Sequence, residues 1–477
     1  MKVLLVWPRS ESVVLSDELS CCEPLPLEYL AGALKGRHEV EIHDCRLDPP
    51  LEQRAREGAA YDVVGVAVPF TCSARAAVQT AREVKRLWPR ALLVLGGHHP
   101  TVSNEWFADC PADYVILGEG GDALRGLSDA LEQGTPLSDV ANLVPFERFL
   151  KDGPPPVGAT AKDVKHLAKP DRSLLTRHAQ RYFHSYYRPT ALIRFSAGCP
   201  YRCDFCILWK LTAGRYFTKA VDGVLEELSE ISSENIYVVD DEAFIVAKRM
   251  HELADAIATA GFRKKFHMYI RADTAVRNPA LMEKWRGAGL DSVLIGAESL
   301  EEDELDAYKK GAGASETVQA MRLFHSLGVK VRANFIVRPD FERKDFARVA
   351  AQVKTLGVDL PSFSVLTPLP GTNLYERVRS EFFVDGPELY DCYHTLLRTK
   401  LPLEEFYSAF ADLIQGTAAR TDVPGASQAP VFYYSTGSAF TRMIQAVRDG
   451  HKLGEPVSGT PHLPPAAPAS YPLPVVS

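Results

Sequence analysis

The sequence predicts an α/β protein in three parts: a Rossmann-like doubly wound domain, a partial β/α barrel of six units, and a helical C-terminal region. Three observations lead there. Apolar strands alternate with helix-like segments over residues 1–145, a second alternation runs from about 190 to 375, and Cys199, Cys203 and Cys206 stand just after the first strand of that second series. Such alternation argues for parallel strands whose crossover helices cover both faces of a sheet.

Composition sets the outer bounds. At about 100 to 200 residues per domain, a chain of 477 residues holds two or three domains. Hydrophobic residues make up 46% and charged residues 24%, as in an ordinary folded protein. Lys and Arg number 54 against 61 Asp and Glu, so the net charge of -7 favours solubility and excludes the basic footprint of a nucleic-acid binder. Nowhere is there an apolar run of roughly 18 residues, so no transmembrane helix is expected, and peripheral membrane contact stays open. The start, MKVLLVWP, lacks a small-residue cleavage site and reads as a first strand. Nine scattered cysteines do not resemble a secreted disulfide framework, which points to a cytoplasmic location.

Residues 1–145 read in order as KVLLVW, PLEYLAGALKG, HEVEIHDC, YDVVGVAVPF, SARAAVQTAREVKRLW, ALLVLGG, YVILGEG and GDALRGLSDALEQG. Parallel sheets bind ligands at the carboxyl ends of their strands. Here those ends carry Pro69-Phe70-Thr71, Gly96-Gly97-His98-His99-Pro100-Thr101 and Gly118-Glu119-Gly120-Gly121. Glycines there let backbone approach a bulky ligand, or simply make tight turns. No GxGxxG follows the first strand, which disfavours a nicotinamide or flavin site. Residues 146–188, with Lys151-Asp-Gly-Pro-Pro-Pro and few periodic apolar positions, read as a linker. The partial barrel follows over 189–375, its six strands being TALIRFSAG, NIYVVDDEAF, FHMYIRAD, SVLIGAES, VRANFIVRPD and SFSVLTPLPGT. Six of the usual eight units imply an open barrel. Residues 376–450 are expected to be helical, and 451–477, rich in Pro, Ala and Ser, to form a disordered tail.

Three cysteines are too few for a closed structural zinc site, and no fourth Cys or His stands at fitting distance. Three thiolates suit a [4Fe-4S] cluster with one iron left open to a substrate or cofactor. The loop also follows a barrel strand, where barrel enzymes keep their chemistry. Polar residues recur at the same edge: Asp240-Asp241-Glu242 after the second strand, Arg271 and Asp273 after the third, Glu298 after the fourth, Asn334 and Arg338 around the end of the fifth. Each alone could be a salt-bridged barrel residue; the shared edge argues for a site.

The spacing Cys199-x3-Cys203-x2-Cys206, with aromatic Phe205 before the last cysteine, resembles the signature of the radical S-adenosylmethionine (SAM) superfamily. The resemblance implies that the three thiolates hold a [4Fe-4S] cluster whose open iron chelates SAM. Cleavage to a 5'-deoxyadenosyl radical would then be driven by a one-electron reductant such as flavodoxin or ferredoxin. Asp240-Asp241-Glu242 stands where many members carry a GGE-type motif, with acidic residues in place of both glycines. Asp241, Glu242, Arg271 and Glu298 are the implied SAM contacts, and the loop Thr367–Thr372 resembles one near the adenosine.

A parallel-sheet domain ahead of such a barrel resembles the cobalamin-binding subgroup, whose members are mainly methyltransferases. VLGGHHPTV and YVILGEGGDAL are similar to its segments around the corrin and nucleotide tail, implying cobalamin contacts at Gly96, Gly97, His98, Pro100, Thr101, Gly118, Glu119 and Gly120. The loop Pro69–Cys72, with Phe70 and Thr71, would face the lower side of cobalt. The ligand motif DxHxxG is missing, and EIHDC has the wrong spacing to replace it; His98 and His99 are read as turn residues. The implied reaction is methylation, through methylcobalamin, of an unactivated carbon in a small molecule of terpenoid or hopanoid-like type. Two alternatives stay open: cyclisation or rearrangement without methyl transfer, and a non-catalytic iron-sulfur redox or sensor protein. Tyr390, Tyr393, Phe406 and Tyr407 could line the substrate pocket or form an aromatic helical core.

Overall fold

Runs such as KVLLVW, apolar on both alternating faces, are what a strand buried on both sides of a sheet requires. A computed structural model describes residues 1–9, 17, 19–160, 163, 167–185, 187–418 and 438–454. Its first strands are β1 (Lys2–Trp7), β2 (Ser20–Cys21), β3 (Glu39–Asp44), β4 (Val63–Ala67), β5 (Leu92–Gly96), β6 (Tyr114–Ile116) and β7 (Leu143–Pro145). All but β2 form one sheet in the order β3-β1-β4-β5-β6-β7, parallel except for β7. Leu4 and Val6 join Val64, Leu93 and the helix Ala74–Leu87 in one core, while Val3 and Leu5 join Ile42, Val94 and the helices Leu25–Leu34 and Gly121–Gln133 in the other. This is the expected doubly wound domain. Its chain order reverses between β1 and β4, the switch point where such sheets open a ligand crevice.

The antiparallel strand β7 was not anticipated: three residues between Asn142 and Phe146 give no readable alternation. Residues 146–188, expected as a linker, contain the helix Phe146–Asp152 and the 3-10 segment Arg172–His178. Phe146 and Phe149 belong to one face's core, and Leu175, Tyr182 and Phe183 to the other. The segment therefore straps the first domain. Elements this short show no period in sequence.

The second half supplies β8 (Phe183–His184), β9 (Thr190–Ile193), β10 (Ser196–Ala197), β11 (Phe217–Thr218), β12 (Asn235–Val238), β13 (Lys265–Ile270), β14 (Leu290–Glu298), β15 (Lys330–Val337) and β16 (Leu360–Val365). The six expected barrel strands form a parallel sheet in the order β16-β15-β14-β13-β12-β9, and β9 and β16 do not pair, so the barrel is open. Along β15, Val331, Ala333, Phe335 and Val337 are buried against the surrounding helices, while Arg332 and Asn334 on the opposite face are half-buried. That alternation is the period of two that separates a barrel's outer core from its lumen.

Helices Leu403–Ala418 and Ser438–Arg448 account for the expected helical region. Phe406 packs 5.6 Å from the Phe346 ring, and its full burial contributes about 2 to 3 kcal/mol. Phe406, Tyr407 and Tyr390 are fully buried and Tyr393 partly so, which places the C-terminal aromatics in packed cores. Most of the tail, residues 455–477, lies outside the described residues. No helix among the described residues is long and apolar enough to cross a membrane.

Candidate active site between the two sheets

At the carboxyl edge of the first sheet, backbone is laid bare by glycine and pinned from behind. Gly97 has φ +131°, and a Cβ there would come within 2.4 Å of the Val68 carbonyl oxygen, so no other residue fits. The Thr101 hydroxyl donates to the Gly97 carbonyl at 2.7 Å and accepts from the Gly118 amide at 3.0 Å, tying the two glycine loops together. His99 is an internal prop. Its Nε2 donates to the Glu105 carbonyl at 3.2 Å, so Nδ1 accepts from Thr71 at 3.2 Å, and burial lowers its pKa to about 4. His98, by contrast, has exposed surface in the crevice at this edge, near Asp241, Arg194 and Glu119, and desolvation by the enclosing protein lowers its pKa. Pro100 is buried, and Phe70, at 59% exposure, is one of two exposed large apolar side chains among the described residues.

The barrel presents its own carboxyl edge. Gly198 opens the cysteine loop at φ +92°, where a Cβ would lie 2.2 Å from the Arg215 carbonyl oxygen. The acidic motif holds this loop from below. Asp240 accepts from the Phe195 amide at 2.7 Å and from the Ser196 hydroxyl, and Asp241 accepts from the Gly198 amide at 2.8 Å. Glu242 accepts from the amides of Phe244 (3.1 Å) and Arg271 (2.6 Å). Burial raises Asp240 to about 6 and Glu242 to about 7. The Arg271 guanidinium is spent within the protein: Nε on Asp273 at 2.9 Å, Nη2 on the Lys310 carbonyl at 2.7 Å, and its plane 3.5 Å from the Tyr201 ring centroid. Its Nη1 lies 4.0 Å from Cys203 Sγ.

Cys203 is buried, and Cys199 and Cys206 are half-buried. Desolvation raises the Cys199 thiol to about 11 and Cys206 to about 12, so both are protonated until a cation compensates their charge. Soft sulfur donors on a glycine-hinged loop, held off neighbouring carboxylates by those carboxylates' own amide bonds, fit an iron-sulfur cluster. Among the described residues no three Cys, His, Asp or Glu side chains converge on a single-ion site. Phe205 stands edge-on to Tyr308, with ring centroids 5.7 Å apart. Glu298 ends β14 at φ +61°, beyond a register irregularity; its carboxylate accepts from Lys310 Nζ at 2.9 Å and Asn334 Nδ2 at 3.3 Å. A non-glycine residue in that conformation stores strain, a mark of functional sites.

The two edges face each other. Arg194, directly after β9, donates from Nη1 to Glu119 of the first domain at 2.9 Å. Lys219 donates to Tyr29 at 2.9 Å, and Arg172 pairs with Glu23 at 2.6 Å and Glu227 at 2.7 Å on the same seam. Arg194 and Lys310 escaped the sequence reading. Arg194 had a signal, a charge closing a buried strand; Lys310, in a loop, had none. For cobalamin the first edge offers bare glycine backbone and an exposed Phe70, and no histidine with the spacing of the known ligand motif, a fit that holds without a protein ligand to cobalt.

Comparison with known proteins finds two domain families in the chain. The B12 binding domain family matches residues 11–128, and the radical SAM superfamily matches residues 193–353. The chain thus joins a B12 binding domain to a radical SAM domain, the pairing found in cobalamin-dependent radical SAM methyltransferases, and its cofactors are cobalamin, a [4Fe-4S] cluster and SAM. It is similar to hopanoid C-3 methylase of Methylococcus capsulatus, 29% identical over 85% of this chain and 78% of that one. Anaerobic magnesium-protoporphyrin IX monomethyl ester cyclase of Cereibacter sphaeroides is 26% identical over 84% of this chain and 67% of its own. In fold, the chain matches the radical SAM methyltransferase TsrM of Kitasatospora setae, solved with cobalamin and a [4Fe-4S] cluster. The TM-score is 0.67 at 17% identity, covering 95% of this chain and 99% of that one.

Proposed function

We propose that the protein methylates an unactivated carbon of a small, largely apolar molecule of terpenoid, hopanoid-like type. The observation that carries this reading is the Arg194–Glu119 contact, which sets the glycine edge of the first sheet against the cysteine edge of the barrel. One substrate between them is reached from both sides. The likeness to a hopanoid methylase over most of both chains supports the substrate class.

When bound, the cluster and SAM supply a radical able to take hydrogen from an unactivated carbon, and cobalamin supplies the methyl group. The chain's own residues bind and orient. Cys199, Cys203 and Cys206 hold the cluster, and Asp241, half-buried beside Arg194 and His98, contacts SAM. Glu242, Arg271 and Glu298 are buried with polar atoms already engaged, which supports a positioning role for these three. The loop with Phe70 and Thr71 and the loops at Gly96–Thr101 and Gly118–Gly120 would hold cobalamin, the exposed Phe70 ring and the bare glycine backbone offering it apolar and close contact. All nine cysteines are free, in keeping with a reducing cytoplasm. A flavodoxin or ferredoxin serves as reductant.

The likeness to a cyclase favours one second reading, ring formation without methyl transfer. Both are tested by anaerobic reconstitution with iron, sulfide and hydroxocobalamin, followed by turnover with SAM and a hopanoid triterpenoid. About four iron and one cobalt per chain, a product heavier by about 14 Da, and S-adenosylhomocysteine beside 5'-deoxyadenosine support methylation. Bound cobalt with 5'-deoxyadenosine but no S-adenosylhomocysteine supports the second reading. Iron without cobalt overturns both.

A further inference from the structure

The outer face of the cysteine loop carries positive charge on a protein that is acidic overall. Four exposed cations stand on residues 201–209 or touch them. Arg202 belongs to the loop and lies with its guanidinium 5.9 Å from the Trp209 ring centroid. Arg277 donates to the Tyr201 hydroxyl at 3.0 Å. Lys309 and Arg377 approach the Asp204 carboxylate at 3.5 and 2.6 Å. The carboxylates beneath them, Asp204 and Asp273, are 4% and 6% exposed, whereas Lys309, Arg377 and Arg277 are 65%, 55% and 59% exposed. Negative charge is thus sunk into the protein and positive charge stands above it. Asp306 and Glu376, exposed nearby in the chain, offset part of this outer positive charge.

The same patch lies close to the thiols. Trp209 is half-buried, and its indole N–H donates to the carbonyl of Cys203 at 3.2 Å. The Tyr201 ring stacks on Arg271, whose Nη1 is the group 4.0 Å from Cys203 Sγ. An electron arriving at Trp209 or Tyr201 is one hydrogen bond or one stacked side chain from a cluster cysteine.

We propose that this collar of Arg202, Arg277, Lys309 and Arg377 is the docking surface for a small acidic one-electron carrier protein, which delivers an electron through the Tyr201–Trp209 stretch. The proposal rests on the reading of Cys199, Cys203 and Cys206 as the cluster ligands. With a net charge of -7, the protein as a whole repels an acidic carrier. A local basic patch selects the encounter orientation and raises the association rate, in a way that salt screens.

The test uses the reconstituted full chain, after iron per chain has been measured; failure to bind about four iron refutes the cluster reading itself. Stopped-flow traces then follow bleaching of the cluster by two donors, an acidic flavodoxin hydroquinone and the methyl viologen radical cation, for the wild type, Arg202→Glu and Arg202→Glu/Lys309→Gln. The expected result is a fall of about tenfold or more in the flavodoxin rate at low salt, shrinking toward the wild-type value in high salt. The viologen rate of the variants should stay within about twofold of wild type or rise, since the cation is no longer repelled. An unchanged flavodoxin rate overturns the proposal. So does an equal loss with both donors, because that result reports a damaged loop.

Discussion

Replacing Asp240 tests whether the acidic motif holds the cysteine loop from below. Asp240 is 3% exposed and accepts from the Phe195 amide at 2.7 Å and from the Ser196 hydroxyl. Asp240→Ala leaves both donors buried without a partner. At about 1 to 3 kcal/mol for each such group, unfolding free energy should drop by about 2 to 5 kcal/mol. Asp240→Asn keeps a carbonyl for Phe195 and lets Ser196 accept from the new amide, so it should lose about 1 kcal/mol or less. The pH dependence gives a second handle. Burial raises this carboxyl from 3.8 to about 6, so the folded protein keeps a proton that the unfolded chain has released. Unfolding between those values sheds a proton, and stability therefore falls as pH rises through the window, by at most about 1.4 kcal/mol per pH unit. Glu242, raised from 4.5 to about 7, adds a slope of the same sign. The difference between wild type and Asp240→Asn isolates the Asp240 share. Urea unfolding followed by circular dichroism at a series of pH values from about 4 to about 7 measures it. An Asp240→Ala variant within about 1 kcal/mol of wild type, or an Asp240→Asn variant with the wild-type slope, would refute the reasoning.

Other expectations follow from the same geometry. Gly97→Ala must push a Cβ against the Val68 carbonyl at 2.4 Å; it should cost more than about 1 kcal/mol and abolish cobalt retention after desalting, measured by metal analysis. Cys203→Ala should keep the far-UV spectrum while iron falls well below about four per chain. Arg194 and Glu119 are 25% and 33% exposed, so a double-mutant cycle on unfolding should give a coupling of only about 1 kcal/mol or less, with a larger effect on turnover than on stability. Arg271→Lys keeps the charge but cannot span Asp273, the Lys310 carbonyl and the Tyr201 ring at once. Iron retention should therefore fall, while the Kd for SAM measured on the iron-loaded fraction changes by less than about threefold.

Both sheets were legible because their strands are runs of Val, Leu and Ile that fill two cores, and because glycines and charged residues mark the carboxyl ends. The cysteine loop was legible from spacing and position together. What escaped is short or long-range. β7 has three residues, and the His98–Val102 turn of helix follows a strand too closely to show a period. The pairing of Ser20–Cys21 with Phe183–His184 joins segments distant in the chain, and no local pattern encodes it. The roles of the acidic motif were also hidden: sequence places Asp240, Asp241 and Glu242 at the right edge, but their spending on backbone amides depends on where the neighbouring turns fall.

The strap that runs from Phe146 to Tyr187 bears on how such a protein can be rearranged. Arg172 reaches Glu23 and Glu28 of the first domain and Glu227 of the barrel, and His184 stacks on Tyr237 at 4.0 Å while pairing through its strand with Ser20. A graft that takes the barrel alone from residue 190 onward would strand Glu227 beside Lys219 without Arg172 and strip the cover from Tyr237. Exchange of parts between relatives should therefore succeed when the incoming part preserves Arg172's partners on both sides, Glu23 and Glu28 on one and Glu227 on the other, and fail when a cut at residue 190 ignores them.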